Sequence, residues 1–547
     1  MVDDSTTWFF VPYDQLNHEI FPWSEGNREN NGLILIESRM KGNSLNYHKQ
    51  KLALLLSNMR HFAAEAKELG HPVKYHFTDG NYHDSLADMH AKFGEINLVT
   101  PAERSLRVEL MPLVEGGKIR LLPHDGWLTK REWFTETVGN TPPFRMDKFY
   151  QRVRKETGVL MQDGKPMGGK YSFDAENRLP WNGDPPAQRE LFFGVDEIDN
   201  SVMRLVTEEF AHHPGNCDLS KVPTTLEQHN KALKWGMDNM EFFGPYEDAM
   251  SSKSRYLFHS KLAISVNLHR LSPQQIVDSA LSTNAPINSV EGFFRQMIWR
   301  EYVKHVHDVT DGFRTLEVYD EHAREPNFLE QNNPLPAAYW GAKTGLNCLD
   351  EVVSSVMDEG WTHHIPRLMI LSNFASLLDI NPRQLTTWFH EAFIDAYDWV
   401  VEPNVLGMGT YSLGSAMMTK PYVSGTPYIN KMSDYCKNCK FNPKKDCKVS
   451  NLYWAFLERH KESFNGNIRM AMPLRSLAKR SDEKKAQDVV AYEEILSALT
   501  EGKEYSCGQL RLTHYTGQFR WSNEADRYDG YRSWICAEKS DCACRYD

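Results

Sequence analysis

The stretch Gly32 to Phe77, "GLILIESRMKGNSLNYHKQKLALLLSNMRHFAAEAKELGHPVKYHF", settles the class of the N-terminal part of the chain. "GLILIES" (Gly32 to Ser38) is a continuous apolar run of the kind a buried parallel strand carries. Leu52, Leu55, Leu56, Met59, Phe62, Ala63, Ala66 and Leu69 then recur at helical spacing, and Gly70 stops the helix. "PVKYHF" (Pro72 to Phe77) reads as the next strand, completing a βαβ unit. A second cycle follows, with "INLVT" (Ile96 to Thr100), a helical stretch after Pro101 and "KIRLLP" (Lys118 to Pro123). Parallel strands need crossover helices, so residues 7–135 are predicted to form a Rossmann-like α/β domain.

Beyond it, residues 136–223 are rich in Gly, Pro and Asp, as in "DGKPMGGKYSFDAENRLPWNGDPP" (Asp163 to Pro186), and read as a long interdomain connection. Its "RVRK" run, Arg152 to Lys155, is a candidate basic contact. From 224 to 500 the pattern is helical almost throughout, so a large all-α domain is expected there. Residues 501–547 form a tail of unknown role, in which Cys542 and Cys544 are weak metal candidates. At 547 residues with 41% hydrophobic and 12% aromatic residues the chain is globular and multidomain. The net charge of −11 argues against bulk attraction to nucleic acid, though not against a local basic groove. The N-terminus "MVDDSTTWFFVPYD" lacks the basic and apolar regions of a signal peptide, and no run spans a membrane, so a cytoplasmic location is expected.

Nine cysteines in a reducing compartment are thiols or metal ligands. Three cluster in "DYCKNCKFNPKKDCKVSNLYW" (Asp434 to Trp454): Cys436, Cys439 and Cys447. A CxxC with a third cysteine nearby disfavours a redox dithiol and leaves zinc and iron-sulfur open, each needing one more ligand; Cys348 in "GLNCLDEVV" is a candidate.

Upstream lies "DAYDWVVEPNVLGMGTYSLG" (Asp395 to Gly414). With "GWTHHIPRLMILSNF" (Gly360 to Phe374), "FGPYEDAMSSKSRYLFHSKLAISVNLHRLSP" (Phe243 to Pro273) and "FFRQMIWREYVKHV" (Phe293 to Val306), it resembles the cryptochrome/photolyase family, in its iron-sulfur bacterial cryptochrome and prokaryotic (6-4) photolyase branch. The resemblance implies an antenna-binding α/β domain followed by an α-helical domain holding FAD and a 4Fe-4S cluster. Cys348, Cys436, Cys439 and Cys447 fall at the cluster positions. Ser260, Lys261 and Leu262 fall where the family holds the flavin pyrophosphate, with Tyr246 and His259 nearby, and a helix start suits phosphate. Gln296 and Arg300 are further cofactor contacts. Asp398 and Asn404 have the spacing of the Asp beside the flavin ring and the Asn facing its N5, and Arg367 resembles the Arg that pairs with that Asp. Met408 stands where other photolyases have the first relay tryptophan. The implied electron route runs through Trp388 and Trp340, with Tyr428 as an additional relay.

For the reaction, the resemblance implies reversal of a (6-4) pyrimidine-pyrimidone lesion in UV-damaged DNA by electron transfer from excited, reduced FAD. His363 and His364 offer the imidazole chemistry that proton transfer to the lesion needs, with His364 the expected donor. The lesion is flipped out of the duplex, and Trp299 and Tyr422 are expected to wall its pocket. Lys420 is a candidate phosphate contact, and Asp174 and Asp248 a site for Mg2+. A 6,7-dimethyl-8-ribityllumazine antenna is expected near Asp14, Gln15 and Glu37, with Tyr13 replacing a family glycine. A monomer associated with the bacterial nucleoid is the expected state. The alternative reading is a blue-light photoreceptor of cryptochrome type with the same cofactors.

Overall fold

The computed structural model describes residues 6–22, 28–316, 319–320 and 325–505. Cys542, Cys544 and all of the tail beyond Tyr505 lie outside the described residues. Five strands, β1 (Thr7–Phe10), β2 (Asn31–Ser38), β3 (Val73–Thr78), β4 (Ile96–Val99) and β5 (Ile119–Leu122), form one parallel sheet in the order β3-β2-β1-β4-β5. The four-residue strand β1 is thus central, with β2 and β3 on one side of it and β4 and β5 on the other. The helix Lys49–Glu68 connects β2 to β3, and Tyr82–Phe93 and Arg104–Glu115 complete the next crossovers. Leu33, Ile34, Leu35 and Ile36 are essentially inaccessible, as expected for a strand covered on both faces. Gly32 is required by packing, since a Cβ there would lie 2.6 Å from the Trp8 ring.

Residues 136–223 are not a featureless connection. They contain two amphipathic helices, Met146–Thr157 and Glu197–Glu209, the second with a reciprocal capping box between Asp196 and Asp199. Phe149, Tyr150 and Val153 on the first helix enter the core of the helical part.

The helical part is organised around Ile287–Val309, 23 residues and hence about 35 Å long. Against it pack Met146–Thr157, Met240–Phe243, Pro273–Leu281 and Asp398–Glu402, while Asn347–Glu359, Pro382–Ala392, Val449–His460 and Asp482–Thr500 contribute to the same core. Two stretches among the described residues, Arg367–Ser372 and Pro403–Gly409, are π-helical. Each carries a candidate site residue, Arg367 and Asn404, and π-turns often occur where side chains must be re-aimed. Tyr397 and Trp399 leave the helical part to join the core of the sheet. The Arg300 guanidinium wedges between Trp127 and Trp399, 4.5 and 5.0 Å from their ring centres, and buried Arg270 chelates Glu65 at 2.8 and 2.6 Å. These contacts fix the α/β layer onto the helices.

Candidate active site

The segment Leu257–Leu262 makes two left-handed turns, with positive φ at Leu257 and Lys261, and between them places His259 against the chain at His363. The two rings stack with centres 4.0 Å apart, and His364 meets His259 edge-on at 5.3 Å. One ligating nitrogen from each of the three rings lies within 4.8 Å of the others. His259 and His363 are buried, and Nε2 of the first and Nδ1 of the second have no hydrogen-bond partner. Desolvation, then neighbouring imidazoles, holds His259 at about 3 and His363 well below the ordinary imidazole range. His364 differs: its side chain is 39% exposed and its Nε2 lies 4.0 Å from Glu247 Oε1. Burial, then Arg295 and Arg367, pushes its pKa down too.

Glu247, which sequence reasoning missed, anchors this corner. Gln296 Nε2 donates to Oε1 at 2.7 Å, Asn177 Nδ2 donates to Oε2 at 2.9 Å, and Arg295 approaches at 3.4 Å. Trp299 Nε1 donates to Asn404 Oδ1 at 2.9 Å, so these two predicted residues meet, while Asn404 Nδ2 caps Val400 O at 2.7 Å. Tyr422 is 38% exposed at the rim.

Several expectations are corrected. Arg367 pairs with Asp395, not with Asp398, through two hydrogen bonds of 2.9 Å. The two aspartates lie three residues apart in "DAYD", and counting from Asn404 selects the wrong one. Asp398 turns to the α/β layer, accepts N–H bonds from Arg104 (2.7 Å) and Ser105 (3.2 Å), and is raised to about 6, chiefly by burial. Arg300 is committed to Asn267 Oδ1 at 2.7 Å and Val266 O at 3.1 Å as well as to its two tryptophans, leaving no guanidinium edge for a cofactor. Tyr428 lies beside Asp248, and burial followed by that carboxylate raises its pKa. Arg178 bonds Asp174 and lies 3.9 Å from Asp248, so a guanidinium stands where Mg2+ was expected and the residues do not fit that ion. Within "RVRK", Arg154 is fully buried, donating to the carbonyls of Val159, Leu160 and Tyr171, and Arg152 is paired with Glu136 and Glu156. Of that run's three cations only Lys155 is exposed and without an ion pair among the described residues.

Ser260 and Lys261 line a small cavity with Lys221, Trp235 and Tyr256. Lys261 Nζ lies 3.7 Å from Glu359 and over the Tyr256 ring at 4.9 Å, and Leu262 is buried. Tyr246 packs on Phe258 and donates to Asp184 O at 3.3 Å. Trp388 is 1% exposed with its Nε1 unpartnered, and the Trp340 ring lies 6.5 Å away, edge-on.

The four cysteines converge. Cys348 opens the helix Asn347–Glu359, Cys436 lies in the single turn Tyr435–Lys437, and Cys447 just precedes Val449–His460. Asn347 Nδ2 ties the first two elements by donating to Tyr435 O at 2.9 Å. Burial pushes the Cys348 thiol well up, and the three other sulfurs push it further. Cys436 is raised to about 11 by burial and by Cys447 and Cys439. The Phe441 amide points at Cys439 Sγ (3.5 Å) and the Thr426 hydroxyl at Cys447 Sγ (3.6 Å).

At the C-terminal edge of the sheet a cavity of about 440 Å³ is lined by Lys41, Glu103, Arg104, His390 and Asp398. An adjoining one of about 60 Å³ shares Lys41, Tyr47, Glu103 and His390 and adds Tyr13, Glu37, Lys51 and Tyr397. Burial would raise the Glu103 carboxyl, but Lys41 at 2.8 Å overcomes it and holds the group ionised; the Tyr13 hydroxyl donates to the same carboxylate. Glu37 is taken by Arg60 at 2.7 and 2.9 Å and by the Tyr75 hydroxyl. Asp14 and Gln15 sit behind this wall rather than on it: Gln15 bonds Val99 O at 3.0 Å, and Asp14, 2% exposed with Oδ1 unpartnered, is raised to about 7 by burial and by Glu103.

Comparison with known proteins agrees with this arrangement. Residues 9–221 match the family described as deoxyribodipyrimidine photo-lyase-related protein, and residues 293–442 match the FAD binding domain of DNA photolyase. The chain is 31% identical over 497 residues to a (6-4) photolyase of Agrobacterium fabrum, covering 86% of this chain and 95% of that one. A deoxyribodipyrimidine photo-lyase of Alkalihalophilus pseudofirmus is 26% identical over 139 residues, 25% of this chain and 28% of the relative. A crystal structure of a bacterial class III photolyase from Agrobacterium tumefaciens has the same fold, with a TM-score of 0.52 and 14% identity over 90% of this chain and 98% of that one.

Proposed function

The chain belongs to the cryptochrome/photolyase family, in its prokaryotic (6-4) branch, and from that premise we propose how its own residues carry out light-dependent repair of (6-4) photoproducts in DNA. The observation that carries the proposal is the three-histidine cluster against Glu247, with one ring exposed and two buried. Bound FAD, reduced and excited by blue light, supplies the electron. Tyr246, Ser260, Lys261 and Leu262 would hold its phosphate side, and Gln296, Arg367, Asp395 and Asn404 would hold its ring side. The buried Arg367–Asp395 pair fits a site that must keep a cation beside an anionic ring without leaving it unmatched when empty.

His364 is the proton donor, because it alone of the three rings is open to a substrate. Stacked His259 and His363 fix its direction from behind, and Glu247 favours its charged form from the side. A general acid works best with a pKa near the working pH. In the free protein burial, followed by Arg295 and Arg367, holds the imidazole neutral; phosphates entering beside those cations offset their part and raise it, so the substrate helps arm the acid. Trp299, fixed by Asn404, and Tyr422 wall the flipped lesion, with Lys420 toward its phosphate.

Trp388 and Trp340 are within the contact range that electron hopping between indoles requires, and form the route for reducing the flavin. The four cysteines fit a 4Fe-4S cluster. Zinc with sulfur ligands at about 2.3 Å would draw the sulfurs to about 4 Å from one another. No three of these thiols are mutually within 4.8 Å among the described residues, a spread that suits a larger centre. The cavity of about 440 Å³ at the sheet edge, lined by Lys41, Tyr47, Glu103 and His390, would hold a flat antenna such as 6,7-dimethyl-8-ribityllumazine, with Tyr13 and Glu37 backing it from the adjoining recess. A cytoplasmic monomer acting on the nucleoid is the matching cellular reading; among the described residues no helix is long and apolar enough to cross a membrane.

The test is illumination of the reduced protein with an oligonucleotide bearing one (6-4) lesion, followed by chromatography for restored pyrimidines. Restoration is expected; none under reducing, metal-supplied conditions would sink the repair reading in favour of a photoreceptor.

A further inference from the structure

Far in sequence from the lesion residues, the segment Ser463 to Ser481, "SFNGNIRMAMPLRSLAKRS", contains no acidic residue in a chain of net charge −11. Its Arg469, Arg475 and Lys479 are exposed and have no ion pair among the described residues; only Arg480 is paired, to Asp488. The same segment carries Ile468, 86% exposed, and Met472, 77% exposed, the two most exposed large apolar side chains among the described residues. Local folding forces them outward. Gly466 turns the chain with φ +78°, Phe464 and Met470 bury the flanks, and the Asn467 side chain both receives the Arg469 amide at 2.9 Å and donates to Thr419 O at 3.0 Å. The tip is thus pinned beside Lys420 and Tyr422. The positive charge of Arg469 reaches the Tyr422 phenol, which also feels Asp174, Arg178 and Asp248. Asp248 in turn adjoins Glu247, and Glu247 faces His364.

Exposed aliphatic side chains are costly in water unless something covers them, and cations interleaved with them select a partner that is both stacked and anionic. Duplex DNA with a flipped nucleotide pair is such a partner: extrusion leaves a gap between base steps that apolar wedges fill, with flanking phosphates in reach of arginine. We propose that Asn465–Met472 is the strand-opening wedge of this protein, with Ile468 and Met472 entering the space the lesion leaves and Arg469, Arg475 and Lys479 holding the adjacent backbone. The assignment rests on the repair reading above and adds to it the element that separates the lesion from its complementary strand.

The test compares duplex and single-stranded substrates. Ile468→Ser with Met472→Ser, made in the full chain, replaces only solvent-exposed groups, so bound flavin absorbance should be unchanged. With a (6-4) lesion in a duplex whose opposite strand carries 2-aminopurine, the double variant should lose most of the fluorescence rise on binding and roughly tenfold in affinity. On the single-stranded oligonucleotide, where nothing has to be opened, repair should equal that of the unsubstituted protein. Arg469→Ala should weaken both substrates and flatten the salt dependence. An unchanged fluorescence rise with the double variant, or an equal loss on both substrates, overturns the wedge. Repair of neither substrate by the unsubstituted protein refutes the repair reading instead, and the fluorescence rise on binding still decides the wedge.

Discussion

The cavity at the sheet edge and the histidine corner are both polar and enclosed, yet they treat buried polarity in opposite ways. At the sheet edge Lys41, Glu103 and Tyr13 satisfy one another, as do Glu37, Arg60 and Tyr75. At the histidine corner two buried ring nitrogens have no partner and three imidazoles share one small volume. A matched network is stable with or without a guest, whereas unmatched groups cost stability that a bound substrate can restore. The first region is a preformed seat; the second is held ready for chemistry.

The sharpest way to break this contrast is at the pair linking the corner to its cofactor side. Asp395→Ala strands the Arg367 guanidinium and should lower stability by ~3 kcal/mol while reducing the flavin retained on purification. A melting curve and flavin content like those of the parent protein would remove Asp395 from the site. Next in size, His364→Asn should lower repair by ~100-fold, about 2.7 kcal/mol in the barrier, with flavin still bound. The same substitution at a mere packing residue would change flavin binding and repair together.

The third test uses pH. The Asp14 carboxyl is held at about 7, above its unfolded value near 4, so the folded state binds its proton more tightly and stability falls as pH rises through that interval. Asp14→Asn should therefore stabilise the protein by roughly 4 kcal/mol at pH 8 and only by about 1 kcal/mol at pH 5. Glu103 has the opposite sign: its folded pKa is depressed, so its contribution is full above about 4.5 and is lost only as pH falls toward the lowered value. Thermal melts of both single variants across pH 5 to 8 separate the two. The smallest expected effect is at Arg152→Ala. Half-buried and already paired to Glu136 and Glu156, it should change DNA affinity less than threefold and stability by under ~0.5 kcal/mol, which filter binding and a melt would check.

The sequence was most legible where period and composition agree. Strands β2 to β5 fall within a residue or two of their apolar runs, and the helix between β2 and β3 begins and ends where its pattern does. Central β1 is harder to see, because "TWFF" is four residues long with no alternation. Arg154 was misread because a run of cations suggests a solvated face; yet it lies four residues after Tyr150 and next to Val153, on the inward stripe of its helix. The partner of Arg367 was misassigned because two aspartates in "DAYD" suit the spacing, and only the path of the chain from Asp395 to Trp399 shows that Asp398 faces the sheet. The encounter of His259 with His363 spans about a hundred residues, and no local pattern encodes it. The composition of the 463–481 segment was visible all along, but its position beside Tyr422 was not.

Three imidazoles in mutual contact have one further consequence. Repulsion among them means that the cluster can carry a single positive charge at a time, so each catalytic cycle has one mobile proton to lend and must recover it before the next photon is useful. In mixtures of light and heavy water the repair yield should then fall in direct proportion to the deuterium fraction, a linear proton inventory. Curvature would mean that a second proton is in flight.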